Sequence, residues 1–262
     1  MKLYFSKYQG TGNDFVIVDN RQLIFPKDQV TLIEKICDRR FGVGADGLIL
    51  LENDSLSDFK MVYFNADGHE SSMCGNGGRC IVSFANQLGI VGKETTFNAI
   101  DGLHHATLDE KDEVALKMID VNDIVQSDDY LFLNTGSPHH VEMVQDLSNF
   151  DVYEAGKRIR YNSDLYGQAG TNANFVEKID NENFRLRTYE RGVEDETLSC
   201  GTGATAVAIA MHYSRQTIHT SIKVQVEGGI LEVSFQPNTA GHYREIFLKG
   251  PATFVFKGEI IV

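Results

Sequence analysis

The chain has 262 residues, 42% of them hydrophobic and 23% charged, a length and balance that support one or two globular domains with a real core and exclude a disordered chain. Its 24 Lys and Arg against 37 Asp and Glu leave a formal charge of −13, which repels nucleic acid and anionic membrane surfaces, so neither is expected as a partner. Four cysteines, Cys37, Cys74, Cys80 and Cys200, with no Cys-x-x-Cys spacing, are too few for a disulfide framework.

In chain order, the Met1 to Gly10 stretch has no long apolar run, and no segment approaches the roughly 18 apolar residues of a spanning helix. A soluble, cytoplasmic protein is expected. The run Leu32 to Arg39 mixes apolar and charged residues in a helical pattern, and Cys37 within it reads as a buried reduced thiol. The clearest helix runs from about Asn76 to Leu88: Cys80, Ile81, Phe84, Ala85 and Leu88 share one face, and Gly89 supplies the stop signal. Phe184, Leu186 and Thr188 alternate with Arg185, Arg187 and Tyr189, the period of a half-buried strand. A second helix, about Thr202 to Tyr213, is Ala-rich and apolar nearly all round, so other elements must enclose it. Ile222, Val224 and Val226 lead into Gly228-Gly229, a strand and its hairpin turn, and Ala252 to Val262 reads as a last strand.

The two helices share an introduction, Cys74-Gly-Asn-Gly and Cys200-Gly-Thr-Gly, with the cysteines 126 residues apart. Glu70 and Glu196 each lie four residues before their cysteine, and Gly102 and Gly228 each lie 28 after it. Thr11-Gly-Asn13 faces Thr135-Gly-Ser137 at a close offset of 124 residues. Several coincidences in register indicate an internal duplication. The expected fold is α/β of the α+β type: two pseudo-symmetric domains, each a curved, mostly antiparallel sheet wrapped around a central helix. The expected boundary lies near residue 120, giving residues 1–119 with Cys74 and 120–251 with Cys200.

A cysteine immediately before a helix sits where unpaired backbone N–H groups and the positive dipole end stabilise a thiolate, lowering its pKa from about 8.5. The glycines let a ligand approach the backbone, so each helix start can also hold a carboxylate. One such motif alone is also the signature of a plain core turn. Two of them in pseudo-symmetric halves would place thiols on opposite faces of one substrate carbon. That suits stereoinversion: one thiolate removes a proton and the other thiol delivers one. An amino-acid Cα–H is very weakly acidic, so acid–base help worth ~10²–10⁴ needs further support from helix N–H groups aimed at the α-carboxylate.

These motifs resemble diaminopimelate epimerase, a member of the cofactor-independent, two-cysteine amino-acid racemases. The resemblance runs through Gly10-Thr-Gly-Asn-Asp-Phe15, Arg40-Phe-Gly-Val-Gly-Ala-Asp46, Asn65-Ala-Asp-Gly68 and Met73-Cys-Gly-Asn-Gly77. It continues through Gly136-Ser-Pro-His-His140, Gly170-Thr-Asn-Ala-Asn-Phe175, Tyr189-Glu-Arg-Gly192 and Ser199-Cys-Gly-Thr-Gly203, and so covers essentially the whole chain. It implies interconversion of LL- and meso-2,6-diaminopimelate on the route to lysine and peptidoglycan, with no pyridoxal phosphate, no other cofactor and no metal. By this resemblance Cys74 and Cys200 are the acid–base pair, and Gly75-Asn76 and Gly201-Thr202 are the helix starts that hold the reacting end. Asn13, Asn65, Asn172, Glu190 and Arg191 are its polar substrate contacts, Arg191 suiting a carboxylate and Glu190 an ammonium group. His139 and Glu190 match residues that tune the thiols. The resemblance also implies a possible homodimer, and a final strand, about 252–262, that returns to the first domain's sheet.

Two positions depart from the pattern: Ser137 stands where some members carry Asn, and Gly47 where some carry Gln. Both are therefore left out of the candidate contacts. By its own chemistry Asn65-Ala-Asp-Gly68 is only a turn signal, His140 a structural histidine and Cys80 a core residue. A zinc site from Cys74, Cys80, Cys200 and a histidine matches no usual ligand spacing. Three other functions stay open. A proline or hydroxyproline racemase of the same fold would racemise proline and not diaminopimelate. A hydrolase pairing one cysteine with His139 would lose activity on mutation of only one cysteine. A non-catalytic amino-acid-binding module would bind ligand without exchanging its α-proton.

Overall fold

The structure is a computed structural model that describes residues 2–111 and 113–261. Contacts divide the chain into two units, Met1–Leu116 with Gly250–Val262, and Lys117–Lys249. The first contains β1 (Lys2–Gly10), β2 (Asn13–Asp19), α1 (Val30–Cys37), β3 (Gly47–Glu52), β4 (Phe59–Asn65), β5 (Glu70–Ser71), α2 (Gly75–Gln87), β6 (Glu94–Ala99), β7 (Gly102–Leu108) and β8 (Val114–Lys117). The second contains β9 (Ile124–Gln126), β10 (Leu131–Asn134), β11 (Pro138–Met143), α3 (Val152–Arg160), α4 (Ser163–Tyr166), β12 (Asn172–Lys178), β13 (Asn183–Glu190), β14 (Asp195–Thr197), α5 (Gly201–Tyr213), β15 (Ser221–Val226), β16 (Gly229–Pro237) and β17 (Tyr243–Gly250). The last strand, β18 (Thr253–Ile261), pairs antiparallel with β1, Leu3 lying opposite Ile260. Of the strand expected over Ala252 to Val262, Val262 lies outside the described residues.

The two units use one pairing scheme. In the first, β1–β2 is antiparallel, β2–β3 parallel, β3–β4 antiparallel, β4–β6 parallel and β6–β7–β8 antiparallel, with β5 added to β4. In the second, β10–β11 is antiparallel, β11–β12 parallel, β12–β13 antiparallel, β13–β15 parallel and β15–β16–β17 antiparallel, with β14 added to β13. The parallel pairs come where a helix forms the crossover, since two parallel neighbours cannot be joined by a tight turn. The fold is therefore the pseudo-symmetric α+β class that the repeated motifs indicate. One correspondence differs by a residue. In both hairpins the residue that opens the return strand has positive φ, Gly102 (117°) and Gly229 (146°), so the partner of Gly102 is Gly229 rather than Gly228.

Burial explains the strand sequences. β3, Gly-Leu-Ile-Leu-Leu-Glu, is buried at all six positions, the continuous pattern of a strand covered on both faces. Leu48 and Leu50 pack with Val16, Val18, Ile33 and Ile36 toward α1. On the opposite face, Ile49 and Met61 approach Gly77 of α2. In the second unit Ala173, Phe175 and Tyr189 pack with Val152 and Ala155 of α3, and the other face of β12 meets α5 through Asn174 and Gly203. Each unit thus encloses one helix. α2 is buried from Gly75 to Val82, and α5 from Gly203 to Met211, which accounts for an Ala-rich helix with no polar side. No helix among the described residues is long and apolar enough to cross a membrane.

Candidate active site

In the first unit β5 runs into a short link that ends at Cys74, the N-cap of α2. The cap backbone is extended, and the Cys74 sulfur accepts the Gly77 N–H at 3.2 Å, which satisfies one of the otherwise unpaired first-turn donors. The Cys74 thiol also lies 3.9 Å from Asn13 Oδ1, and the same oxygen accepts from Asn76 Nδ2 at 3.4 Å. Asn13 is held by its own amide, which donates to Asp46 Oδ2 at 2.6 Å. Asp46 and Asp14 share Arg39 in a bridge of 2.6 to 2.7 Å, and Lys7 also pairs with Asp14 at 2.7 Å. Arg39 and Lys7 hold the Asp14 carboxyl well below the usual carboxylate range despite its burial. Cys74, Gly75, Asn76 and Asn13 therefore form one cluster on an anchored base. Asn65 closes β4 opposite Gly47 and turns the chain through the His69 carbonyl; no side-chain hydrogen bond joins it to Asn13 or Asn76 among the described residues.

Gly47 cannot carry a side chain here. A Cβ would lie 2.5 Å from both the Phe64 carbonyl oxygen and the Tyr63 ring. Tyr63 packs edge-on against Phe15 and covers the space in which a longer residue 47 would extend. The equivalent β-strand position in the second unit is Asn172, since Gly47 faces Phe15 as Asn172 faces His139.

In the second unit Cys200 is the N-cap of α5, 6% exposed, with its sulfur 3.5 Å from Thr202 Oγ1. Thr135 donates to the Thr202 carbonyl at 2.8 Å, tying the β10–β11 turn to the helix start. Asn172 donates to Ser137 Oγ and to the Pro138 carbonyl, both at 2.9 Å, and accepts the Arg191 N–H at 2.9 Å. The Arg191 guanidinium reaches Ser137 Oγ at 3.4 Å. Glu190 accepts from Thr197 at 2.9 Å, and its burial raises the carboxyl's pKa. The structure thus gathers Asn172 and Arg191 around Ser137, a residue left out on sequence grounds. The departure from the family's Asn at that position was the signal that could have found it.

His139 is 0% exposed, and burial pushes its pKa down to about 3, so the ring is neutral at physiological pH. Asn174 fixes its tautomer. The Asn174 amide nitrogen donates to the His140 carbonyl at 2.8 Å and its oxygen accepts from Thr188 at 3.1 Å. The same nitrogen therefore donates to His139 Nδ1 at 3.0 Å, leaving the proton on Nε2, which has no hydrogen-bond partner among the described residues. Asn174 was not singled out from sequence, although a second Asn two residues after Asn172, on the same strand face, was the available clue. His140 turns the other way, to the Tyr166 hydroxyl at 2.7 Å. Cys37 and Cys80 are core thiols whose pKa values burial pushes up to about 12.

Comparisons with known proteins agree along the chain's length. The family model for diaminopimelate epimerase matches residues 5–122 and 131–255. A diaminopimelate epimerase from Flavobacterium psychrophilum is 62% identical over 261 residues, 99% of this chain and 100% of the relative. Among solved structures, a phenazine biosynthesis protein of the PhzF family from Bacillus anthracis has a TM-score of 0.75 at 14% identity, covering 100% of both chains. A probable proline racemase from Agrobacterium radiobacter has a TM-score of 0.68 at 14% identity, covering 99% of this chain and 93% of that one. At such identities these two likenesses are of fold alone.

Proposed function

Because the chain belongs to the diaminopimelate epimerase family and is an isomerase, we propose that it interconverts LL- and meso-2,6-diaminopimelate by a two-thiol 1,1-proton transfer. The observation that carries this reading is the pair of N-cap cysteines, Cys74 and Cys200, at equivalent points of one repeated strand scheme. One cysteine, as thiolate, takes the Cα proton, and the other, as thiol, returns a proton to the opposite face. Charge that develops on the carboxylate is stabilised by the N–H groups at Gly75-Asn76 and Gly201-Thr202, where removal of one such donor typically costs ~10²–10³ in rate. Asn13, Asn65, Asn172, Glu190 and Arg191 are the proposed polar contacts. Arg191 offers a fork for the distal carboxylate and Glu190 a partner for an ammonium group. This is the step of lysine and peptidoglycan precursor synthesis, run in the cytoplasm without pyridoxal phosphate.

The tautomer of His139 argues against a cysteine hydrolase. A general base for a thiol needs an imidazole lone pair, but Nδ1 is occupied by Asn174 and Nε2 carries the proton. The tuning role proposed for His139 beside Glu190 is that of a neutral N–H donor, and it rests on the family resemblance.

Single Cys74→Ser and Cys200→Ser variants test the reading. Each is expected to reduce conversion of LL- to meso-diaminopimelate by about 10³-fold or more while substrate still binds, because each thiol is half of one proton relay. Full activity in either variant would contradict the two-thiol mechanism and restore a single-cysteine enzyme.

A further inference from the structure

Arg79 lies five residues along α2 from Cys74 and is 0% exposed. Its guanidinium donates to Asn76 Oδ1 at 2.8 Å, to the Gly75 and Pro251 carbonyls at 3.3 Å each, and to Thr11 Oγ1 at 3.4 Å. All four acceptors are neutral, and among the described residues no carboxylate forms an ion pair with it. Burying a cation away from water carries a large desolvation penalty, and hydrogen bonds to neutral acceptors offset only part of it. The backbone is shaped to admit it: a Cβ on Gly10 would come within 3.3 Å of Arg79 Nη2. Its bonds to the Gly75 carbonyl and the Asn76 side chain set the charge beside the two residues that follow Cys74. Cys80, the next residue along the helix, does not ionise in the working range, its pKa being pushed up to about 12 by burial, whereas Cys74 is the N-cap at the start of the same helix.

We propose that Arg79 is a positioning residue for the first helix start, a fixed positive charge that locks Asn76 and favours an anion at Cys74, whether thiolate or bound carboxylate. Its bond to Asn76 Oδ1 turns the Asn76 amide nitrogen toward Asn13, so the Asn13–Asn76–Cys74 cluster is set before any ligand arrives. The charge adds to the helix dipole at the same point, in an interior where fields are weakly screened. Other ionisable groups around this position are Asp46 behind Asn13, Asp101 accepting from the Met73 N–H, His104 paired with Asp101, and Tyr8, whose burial pushes its hydroxyl up to about 12. Asp46 is compensated by Arg39, which together with the buried Lys7 also pairs with Asp14; Asp101 opposes an anion at Cys74, and Arg79 is the buried cation with no ion-pair partner among the described residues.

The inference rests on Cys74 being a working thiol, and its test does not use turnover. In a Cys200→Ser background, the rate of Cys74 alkylation by iodoacetamide is followed against pH, with the modified residue identified by mass spectrometry. Arg79→Gln removes the charge and Arg79→Lys retains it. Arg79→Met, close in shape and without a polar head to desolvate, serves as the neutral variant should the Gln form fail to fold. Loss of the charge is expected to slow alkylation at pH 7 by about tenfold and move the profile up by about one pH unit, with Arg79→Lys within about threefold of the parent. A neutral variant that melts earlier but alkylates as fast as the parent would overturn the proposal, leaving Arg79 as a tether between α2 and Pro251. An Arg79→Lys form as slow as the neutral one would also overturn it, because charge would then not be the operative property. Failure of the parent enzyme to exchange a substrate α-proton would count against the epimerase reading alone.

Discussion

At the scale of single residues, the second unit is organised by side chains that sequence spacing does not single out. Asn174 holds three bonds and sets which nitrogen of His139 carries the proton. The low pKa of His139 has a consequence for stability. Between about 3, its folded value, and about 6.5, its unfolded one, the unfolded chain binds a proton that the folded chain does not. Its contribution is therefore fully present above pH 6.5 and is lost as pH falls, at about 1.4 kcal/mol per pH unit. The Asp14 ion pairs act below this window: with its folded pKa depressed, their contribution is present above about pH 4 and is lost only under more acid conditions. Urea midpoints measured from pH 7 to pH 5 are expected to fall more steeply for the parent than for His139→Gln. Parallel slopes would show that His139 takes up its proton in the folded state.

At the scale of elements, the helix starts set tight limits on side-chain volume. Gly203, in the first turn of α5, would place a Cβ 2.5 Å from Asn174 Oδ1 and 3.3 Å from the Cys200 sulfur. Alanine improves helix propensity by about 1 kcal/mol, yet overpacking a fixed neighbour costs ~1–3 kcal/mol. Asn174 is 0% exposed and triply bonded, so it cannot yield cheaply. Gly203→Ala is therefore expected to lower stability in urea unfolding and to disturb His139, whereas a gain in stability would show that Asn174 moves freely. Both central helices were readable within a residue or so from their Cys-Gly-x-Gly starts and apolar content, and the 184–189 and 222–226 strands from strict alternation. Gly47 was readable only as a departure. That Tyr63 fills its space depends on the β3–β4 register, which pairs Tyr63 with Ile49 and Asn65 with Gly47 and leaves no periodic trace in sequence. Arg79 escaped for a related reason: a charged residue on a predicted helix is assigned by default to the solvent face, and only the enclosing sheet makes it a buried one.

At the scale of the molecule, the repeated motifs stood in the sequence because each marks the same mechanical point in a duplicated scheme: a hairpin turn before β2 and β11, and a cap before α2 and α5. The hydrogen-bond pattern repeats strand for strand while the chemistry on it has diverged, Gly47 against Asn172 and Phe15 against His139. The first unit presents asparagines and a buried guanidinium beside its helix start, whereas the second carries a neutral histidine bonded to Asn174, a glutamate bonded to Thr197 and an arginine bonded to Ser137 and Asn172. Under the proposed two-thiol mechanism, such asymmetry would let the two cysteines hold opposite protonation states at the moment of transfer. The most direct test is NMR of LL-diaminopimelate in D₂O with the purified, reduced protein and no added cofactor. Deuterium entry at Cα together with appearance of the meso form is the expected result. Absence of both exchange and inversion, in protein that is folded and reduced, would contradict cofactor-free two-thiol epimerisation.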